Sequence, residues 1–246
     1  MKCVILAAGI SSRLLPLTAS TPKCLLEVGK YAILERTLRN VLLYDLSDFV
    51  IVTGPQAEMI TDFIEKTFPS LNAEFVYNER FADTNNSYSL ALAQEAVHGD
   101  SMLLMDSDIV FDHRILSEVL QSPHENCLVV RREGNFDEEE VSVAVDERGR
   151  IIRIGKEFEE EPFLGESIGI EKFSRSGTAK LFEILQHRVF DEGRENEFYE
   201  ASFQELIDLG VSIYAVDAKG FPCIEIDTLE DLQKANHQIA PQLDGI

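Results

Sequence analysis

Apolar and polar positions along the chain fall into two alternating patterns. Short apolar runs bounded by turn residues recur at 4–8, 49–53, 74–77, 101–105 and 127–130, as buried strands do. Between them, apolar residues repeat at helical spacing. Ile33, Leu34, Thr37, Leu38, Val41 and Leu42 predict a helix over 31–45, and Ile60, Phe63, Ile64 and Phe68 predict one over 56–68. A third is predicted through Leu90, Leu92 and Val97, capped by Asn86 or Ser87, and a fourth over 112–120. This β-α-β-α-β alternation predicts a parallel sheet with right-handed crossovers and covering helices.

Past residue 132 the pattern changes. Residues 141–145 alternate after the acidic run 138–140, 146–149 form a turn, and 150–154 return, so a hairpin is predicted. The acidic run 157–161 reads as a solvated loop. A strand at 163–171, helices at 174–188 and 198–209, strands at 211–216 and 222–228, and a last helix at 229–238 complete the chain. No linker, repeat or low-complexity segment divides it, so residues 1–246 are expected to form one α/β domain with a mixed, mostly parallel sheet between two helical layers.

The chemistry concentrates where the first strand ends. Leu6-Ala7-Ala8-Gly9 empties into Ile10-Ser11-Ser12-Arg13, and Thr21-Pro22-Lys23 follows ten residues later. Small residues let a ligand approach the backbone, whose N–H groups can point at phosphate oxygens. Two cations beside such a turn suit a triphosphate. The segment is neither a P-loop, which needs G-K-[ST], nor a dinucleotide G-x-G-x-x-G.

L-A-A-G-x-x-S-R-L with P-K about ten residues on resembles the signature of the nucleotidyltransferases that make activated sugars and alcohols from an NTP. The resemblance implies a Rossmann-like three-layer α/β/α fold, with 1–132 as the nucleotide-binding half and 133–246 as the acceptor-binding half. Leu6, Ala7, Ala8, Gly9, Arg13 and Lys23 are then expected around the nucleotide. The segment Asn85-Asn86-Ser87-Tyr88-Ser89-Leu90 resembles the base-reading segment of the bacterial cytidylyltransferases that act on phosphocholine and related small alcohol phosphates. Sugar-phosphate relatives carry a Gly-rich segment there. Asn85, Asn86 and Ser89 are therefore expected at the base, and CTP is the expected nucleotide.

The fourth strand runs into Asp106-Ser107-Asp108, at the carboxyl edge where α/β sheets bind ligands. Hard carboxylate oxygens suit Mg²⁺. E-I-D-T-x-E-D-L at 225–232 resembles the family's second metal-ligand segment, so Asp108 and Asp227 are the expected Mg²⁺ ligands, with Asp106 contacting the ribose or supporting the site. Thr228, with Asp231 three residues on, also reads as a helix cap. Arg13, Lys23, Asp108 and Asp227 are the expected catalytic set.

The resemblance also places Lys156 at the acceptor's phosphate and the strand 163–171 along the acceptor pocket. Glu166, Asp191, Glu200 and Glu225 are candidates to pair with an ammonium head group. Phe163, Phe173, Phe198, Tyr199 and Phe221 are candidates for an aromatic cage, although the chain has no tryptophan. The expected reaction is transfer of CMP from CTP to a small phosphorylated acceptor, such as phosphocholine or an amino-alcohol phosphate or phosphonate, with release of pyrophosphate. A sugar- or polyol-phosphate nucleotidyltransferase is the first alternative. A metal-dependent glycosyltransferase using Asp106-Ser107-Asp108 and a non-catalytic nucleotide-binding module are the others. Against the glycosyltransferase stand Arg13 and Lys23, which suit a triphosphate rather than a diphosphate donor; against the non-catalytic module stands the presence of Arg13, Lys23, Asp108 and Asp227 together, which a dead copy need not keep.

Composition narrows the partners. A net charge of −22 over 246 residues argues against nucleic acid and anionic membranes, and no apolar run is long enough to span a bilayer. Met1-Lys2 leads straight into the first strand, and Cys3, Cys24, Cys127 and Cys223 have no C-x-x-C spacing. These features predict a cytoplasmic protein with reduced thiols, as a monomer or homodimer. The five histidines show no metal-ligand spacing.

Overall fold

The computed structural model describes residues 1–132, 141–156 and 163–244. The expected acidic run 138–140 and loop 157–161 lie outside the described residues. In chain order the elements are β1 Lys2–Ala7, β2 Glu27–Val28, β3 Tyr31–Ala32, α1 Ile33–Leu42, β4 Asp48–Thr53, α2 Ala57–Thr67, β5 Asn72–Tyr77, α3 Asn86–Leu92, α4 Gln94–Val97, β6 Met102–Asp106, β7 Ile109–Phe111, α5 Arg114–Gln121 and β8 Cys127–Arg131. Then follow β9 Ser142–Val145, β10 Ile151–Gly155, β11 Phe163–Phe173, α6 Arg175–Gln186, α7 Glu200–Asp208, β12 Tyr214–Asp217, β13 Cys223–Glu225, α8 Leu229–Lys234 and α9 Ala240–Leu243.

The main sheet is mixed and mostly parallel. Its order is β10-β9-β11-β6-β1-β4-β5, with β8 beside β11 and β12 beside β8. Pairing is parallel through β6, β1, β4 and β5, where apolar runs alternate with helices. The long β11 runs antiparallel to β6, β8 and β9, and β9 and β10 form the expected hairpin.

Successive residues of the central strands feed opposite faces, as a pleated strand requires. Val4, Leu6, Val50, Val52 and Leu104 pack under α3, α6 and α7. Cys3, Ile5, Phe49, Ile51 and Leu103 pack under α1, α2 and α5. Each fully buried aliphatic or aromatic side chain contributes on the order of 1.5–3 kcal/mol, so the two faces hold the three layers together. A third apolar cluster, with Leu14, Val28, Ile33, Val110 and Ile226, sits beneath the first loop and the C-terminal helices.

Differences from the sequence expectations lie at element edges and in short strands that carry no period. The helix expected over 31–45 begins only at Ile33, because Tyr31–Ala32 pairs with Glu27–Val28. The strand expected at 222–228 shrinks to Cys223–Glu225, which pairs antiparallel with an unforeseen strand, Ile109–Phe111. Of 211–216, only the part from Tyr214 onward joins the sheet, beside β8. All four cysteines are free and buried, and burial pushes the Cys24 thiol up to about 12. Among the described residues no helix is long and apolar enough to cross a membrane.

Candidate active site

The carboxyl ends of β6, β1 and β4 open into a cleft of about 740 Å³. Leu6, Ala7, Ala8 and Gly9 form its floor, Arg13 and Lys23 one wall, and Pro55, Gln56, Asn78, Asn85, Asn86 and Ser89 the other. Gly54 fits only as glycine, since a Cβ there would lie 2.5 Å from the Ala8 carbonyl oxygen. The β4 turn is therefore pressed against the first loop. A Cβ on Gly9 would meet nothing within 4 Å, so that residue faces open space in the cleft.

One end of the cleft is acidic and paired. Lys23 Nζ donates to Asp108 Oδ2 and to Asp227 Oδ1, each at 2.7 Å, and Arg13 lies 3.0 Å from Asp227 Oδ2. Burial alone would depress the Lys23 pKa, but Asp108 and Asp227 outweigh it and hold the ammonium charged. Burial likewise opposes the Asp227 charge, and Lys23 followed by Arg13 overcomes it, leaving that carboxyl below its ordinary range. Asp108 and Asp227, far apart in sequence, meet because β7 and β13 pair and the Ile226 N–H donates to the Asp108 carbonyl at 3.0 Å. The capping box of α8 completes the arrangement. Thr228 accepts from the Asp231 N–H, and the Asp231 carboxylate accepts from the N–H groups of Thr228 and Asp227.

Asp108, Glu225 and Asp227 present carboxylate oxygens that all lie within 4.8 Å of one another. The donor set suits a hard divalent cation. Asp108 Oδ1 is buried with no hydrogen-bond partner, the condition of an atom awaiting a ligand. Burial first, then Asp108 and Asp227, push the Glu225 carboxyl well up. Glu225 was expected at the acceptor; the structure sets it beside the two aspartates instead. A short apolar strand ending E-I-D could have signalled this, because it brings both carboxylates to one strand end.

At the other end, α3 is capped by Asn85, not by Asn86 or Ser87. The Asn85 side chain accepts from the Asn86 N–H, so its oxygen is spent on the helix start. Asn86 and Ser89 face the cleft. Asp106 also lines the cleft, and it accepts from the Tyr199 hydroxyl at 2.8 Å. Burial, then Asp108 and Glu200, push its carboxyl well above the ordinary range. Tyr199 is itself fully buried, which rules out direct contact with an acceptor in this conformation and makes it a support for Asp106.

A second cavity, of about 540 Å³, lies between β10 and α7 and shares Phe198 with the cleft. Lys156, Arg188, Glu197, Glu200, Glu205 and Asp208 are among its lining residues. The Lys156 ammonium sits 4.1 Å from the centre of the Phe198 ring. Glu200 is buried, with Oε2 unpartnered. Burial pushes its carboxyl up to about 7, against the opposing pull of a backbone N–H and Lys156.

The remaining acceptor candidates go elsewhere. Glu166 is buried in an ion pair with Arg131, and Asp191, 73% exposed, pairs with His187. Neither lines the cleft or the second cavity. The aromatic cage is not assembled either: Phe173 is in the core, Phe221 stacks under Arg114, and of the five rings only Phe198 lines these cavities.

Comparison with known proteins follows the same lines. Residues 3–190 match the sequence profile of the MobA-like NTP transferase domain family. The bifunctional IPC transferase and DIPP synthase of Aquifex aeolicus is 29% identical over 94% of this chain, which spans only half of that protein. The choline-phosphate cytidylyltransferase of Haemophilus influenzae is 26% identical over 98% of both chains. Among solved structures, the inositol-1-phosphate CTP transferase of T. maritima superposes with a TM-score of 0.79 over 96% of both chains at 20% identity, which speaks to the fold.

Proposed function

The chain belongs to the MobA-like NTP transferase domain family and is a nucleotidyltransferase, and from that premise we propose that it transfers CMP from CTP to a small phosphorylated acceptor, releasing pyrophosphate. The observation that carries this reading is the cluster at the acidic end of the cleft. Lys23 and Arg13 stand beside Asp108, Glu225 and Asp227, directly past the backbone loop 7–13. Cations for a triphosphate and carboxylates for its metal thus share one cleft end.

Asp108 and Asp227, with Glu225 adjoining, are the residues that would hold Mg²⁺. When bound, the ion supplies Lewis-acid polarisation and charge neutralisation at phosphate oxygens. The rest of the work is positioning and charge. The N–H groups and small residues of 7–13 admit the phosphate chain. Arg13, half exposed at the mouth, holds the leaving pyrophosphate, and Lys23 balances charge growing on the α-phosphate. An acceptor phosphate oxygen is already anionic and attacks without a protein base. Residues 1–132 carry the nucleotide-facing walls, while 133–246 supply Phe198, Glu225, Asp227 and the second cavity as the acceptor side.

The second cavity supports a cationic head group. Its lining carries Glu197, Glu200, Glu205 and Asp208 against Lys156 and Arg188, and Arg188 is already paired with Glu197 and Glu205. The Phe198 ring offers a face for an ammonium, and Lys156 stands where it can meet the acceptor phosphate. A neutral polyol phosphate is the second reading, since carboxylates also accept from hydroxyls and the cavity contains one aromatic ring. Pyrophosphate release from CTP should be measured with phosphocholine, phosphoethanolamine, aminoethylphosphonate and inositol-1-phosphate side by side. Turnover with any of them establishes the reaction class, and a preference of about tenfold for inositol-1-phosphate would replace the cationic reading by the neutral one. No release with any acceptor and any NTP would overturn the proposal.

A further inference from the structure

The charged end of the cleft is anchored from below, in the third apolar cluster. Leu14 follows Arg13, Leu26 follows Lys23, Val110 follows Asp108 and Ile226 precedes Asp227, each within three positions, and all four apolar residues belong to that cluster. The C-terminal segment closes the cluster with Ala235 and Ala240. It starts at the site itself, since α8 begins two residues after Asp227, and its far end meets the turn between β2 and β3.

That turn is gripped at several points. Asp244 Oδ1 accepts from Arg36 Nη2 at 2.6 Å, and Asp244 Oδ2 accepts from the Lys30 N–H at 3.2 Å. Arg36, only 6% exposed, also donates to the Val28 carbonyl, so one guanidinium ties the hairpin to the end of the C-terminal segment. The Gly29 N–H donates to Asn236 Oδ1 at 2.9 Å, and Asn236 Nδ2 reaches the Glu27 carbonyl at 3.4 Å. A Cβ on Gly29 would lie 2.8 Å from the Ala240 Cβ, so the turn is pressed directly against α9.

These contacts close a ring. From Asp227 the chain runs through α8 and α9 to Asp244, crosses to the turn at 29–30, and returns over 28–24 to Lys23, whose Nζ meets Asp227 Oδ1 at 2.7 Å. The two sides of the ring are held unequally. Asp108 and Asp227 are fixed by the pairing of β7 with β13 and by the capping box at Thr228. Lys23 belongs to no strand: it opens a single turn, Lys23–Leu25, that leads straight into the gripped hairpin.

We infer, on the footing of the nucleotidyltransferase reading above, that Arg36, Asn236 and Asp244 are positioning residues whose grip on the β2–β3 turn holds Lys23 against the two carboxylates, ready for a triphosphate. Released from that grip, Lys23 samples other positions. The carboxylates then stand open more of the time to a cation arriving alone, and the ammonium stands in place less of the time for a nucleotide. The two effects have opposite signs, which a general loosening of the fold does not produce.

The test measures both affinities. Mn²⁺ binding without nucleotide, read by electron paramagnetic resonance, is expected to tighten about threefold or more in Asp244→Ala. Loss of a negative charge would by itself weaken it. CTP binding with Mg²⁺, read by calorimetry, is expected to weaken about tenfold in the same variant. Asn236→Ala keeps the Arg36–Asp244 pair and is expected to move both affinities in the same directions by about twofold or more; it decides the matter if Asp244→Ala does not fold. In a Lys23→Met background, adding the second substitution is expected to leave Mn²⁺ affinity within about twofold, because the competing ammonium is already gone. If Mn²⁺ affinity stays level or falls in the folded variants, or tightens equally in the Lys23→Met background, the inference is overturned. CTP binding by the parent would then leave the nucleotidyltransferase reading standing, whereas a parent that binds no triphosphate would overturn both.

Discussion

Lys23 Nζ lies 2.7 Å from Asp227 Oδ1, across 204 positions of sequence, and at the same distance from Asp108 Oδ2. The lysine thereby holds both carboxylates proposed above as metal ligands. A divalent cation arriving alone must displace it, whereas one arriving with a triphosphate brings the ammonium a new anionic partner.

Binding of Mn²⁺ without nucleotide follows from that competition. Lys23→Met is expected to bind Mn²⁺ at least about tenfold tighter than the unaltered protein, read by electron paramagnetic resonance of the free ion. Equal affinities would show that Lys23 does not contest the site. Thermal unfolding of the variant checks that the fold survives.

Asp227→Asn removes a proposed metal ligand and the shared partner of Lys23 and Arg13. Turnover of CTP is expected to fall by about a thousandfold or more, while circular dichroism and melting temperature stay close to the parent, because Asp227 lies at the cleft edge outside the apolar clusters. Activity within a few-fold of the parent would remove Asp227 from the metal set.

Glu200 gives a pH dependence with a definite sign. Its carboxyl is pushed from 4.5 to about 7 in the folded state, so folding favours the protonated form. The stability this represents is complete below about pH 4.5 and drains away as pH rises through 7. Glu200→Gln cannot lose it. The variant is expected to be more stable than the parent at pH 8, by up to about 3 kcal/mol, with the difference shrinking towards pH 5. Chemical denaturation at both pH values measures it; a parent that is equally stable at the two would contradict the buried neutral acid.

Gly54→Ala tests the contact between the β4 turn and the first loop. Its Cβ would lie 2.5 Å from the Ala8 carbonyl oxygen, backbone that cannot swing away as a flexible side chain would. The loop must shift, so CTP affinity is expected to fall about tenfold or more with a stability loss of about 1–3 kcal/mol. Gly9→Ala, with open space around it, should leave stability unchanged while crowding the nucleotide, and melting curves of the pair separate the two effects.

Much of the architecture was legible in the chain. Strands such as Phe49 to Thr53 announce themselves because a sheet covered on both faces demands unbroken apolar runs, and helices such as Ile33–Leu42 because one face must be buried. The first loop was legible because Arg13 and Lys23 stand out in a protein of net charge −22. The strand Ile109–Phe111 was missed because three residues carry no period. Asn85 as the cap of α3 was missed because in a run of two asparagines only the backbone angles say which one caps.

What the sequence by itself determined is therefore local: the order of strands and helices, the loop able to receive phosphates, and the cap at Thr228. Each is set within a few residues by burial period, side-chain size or a reachable N–H. Tertiary structure alone decided that Glu225 stands with Asp108 and Asp227, that Asp191 stands apart at the surface, and that Tyr199 backs Asp106 rather than facing a ligand. Those outcomes depend on a pairing between β7 and β13 and on a hydroxyl that meets its carboxylate 93 positions away. Partners that distant are chosen by how the layers pack, and no local pattern in the chain records the choice.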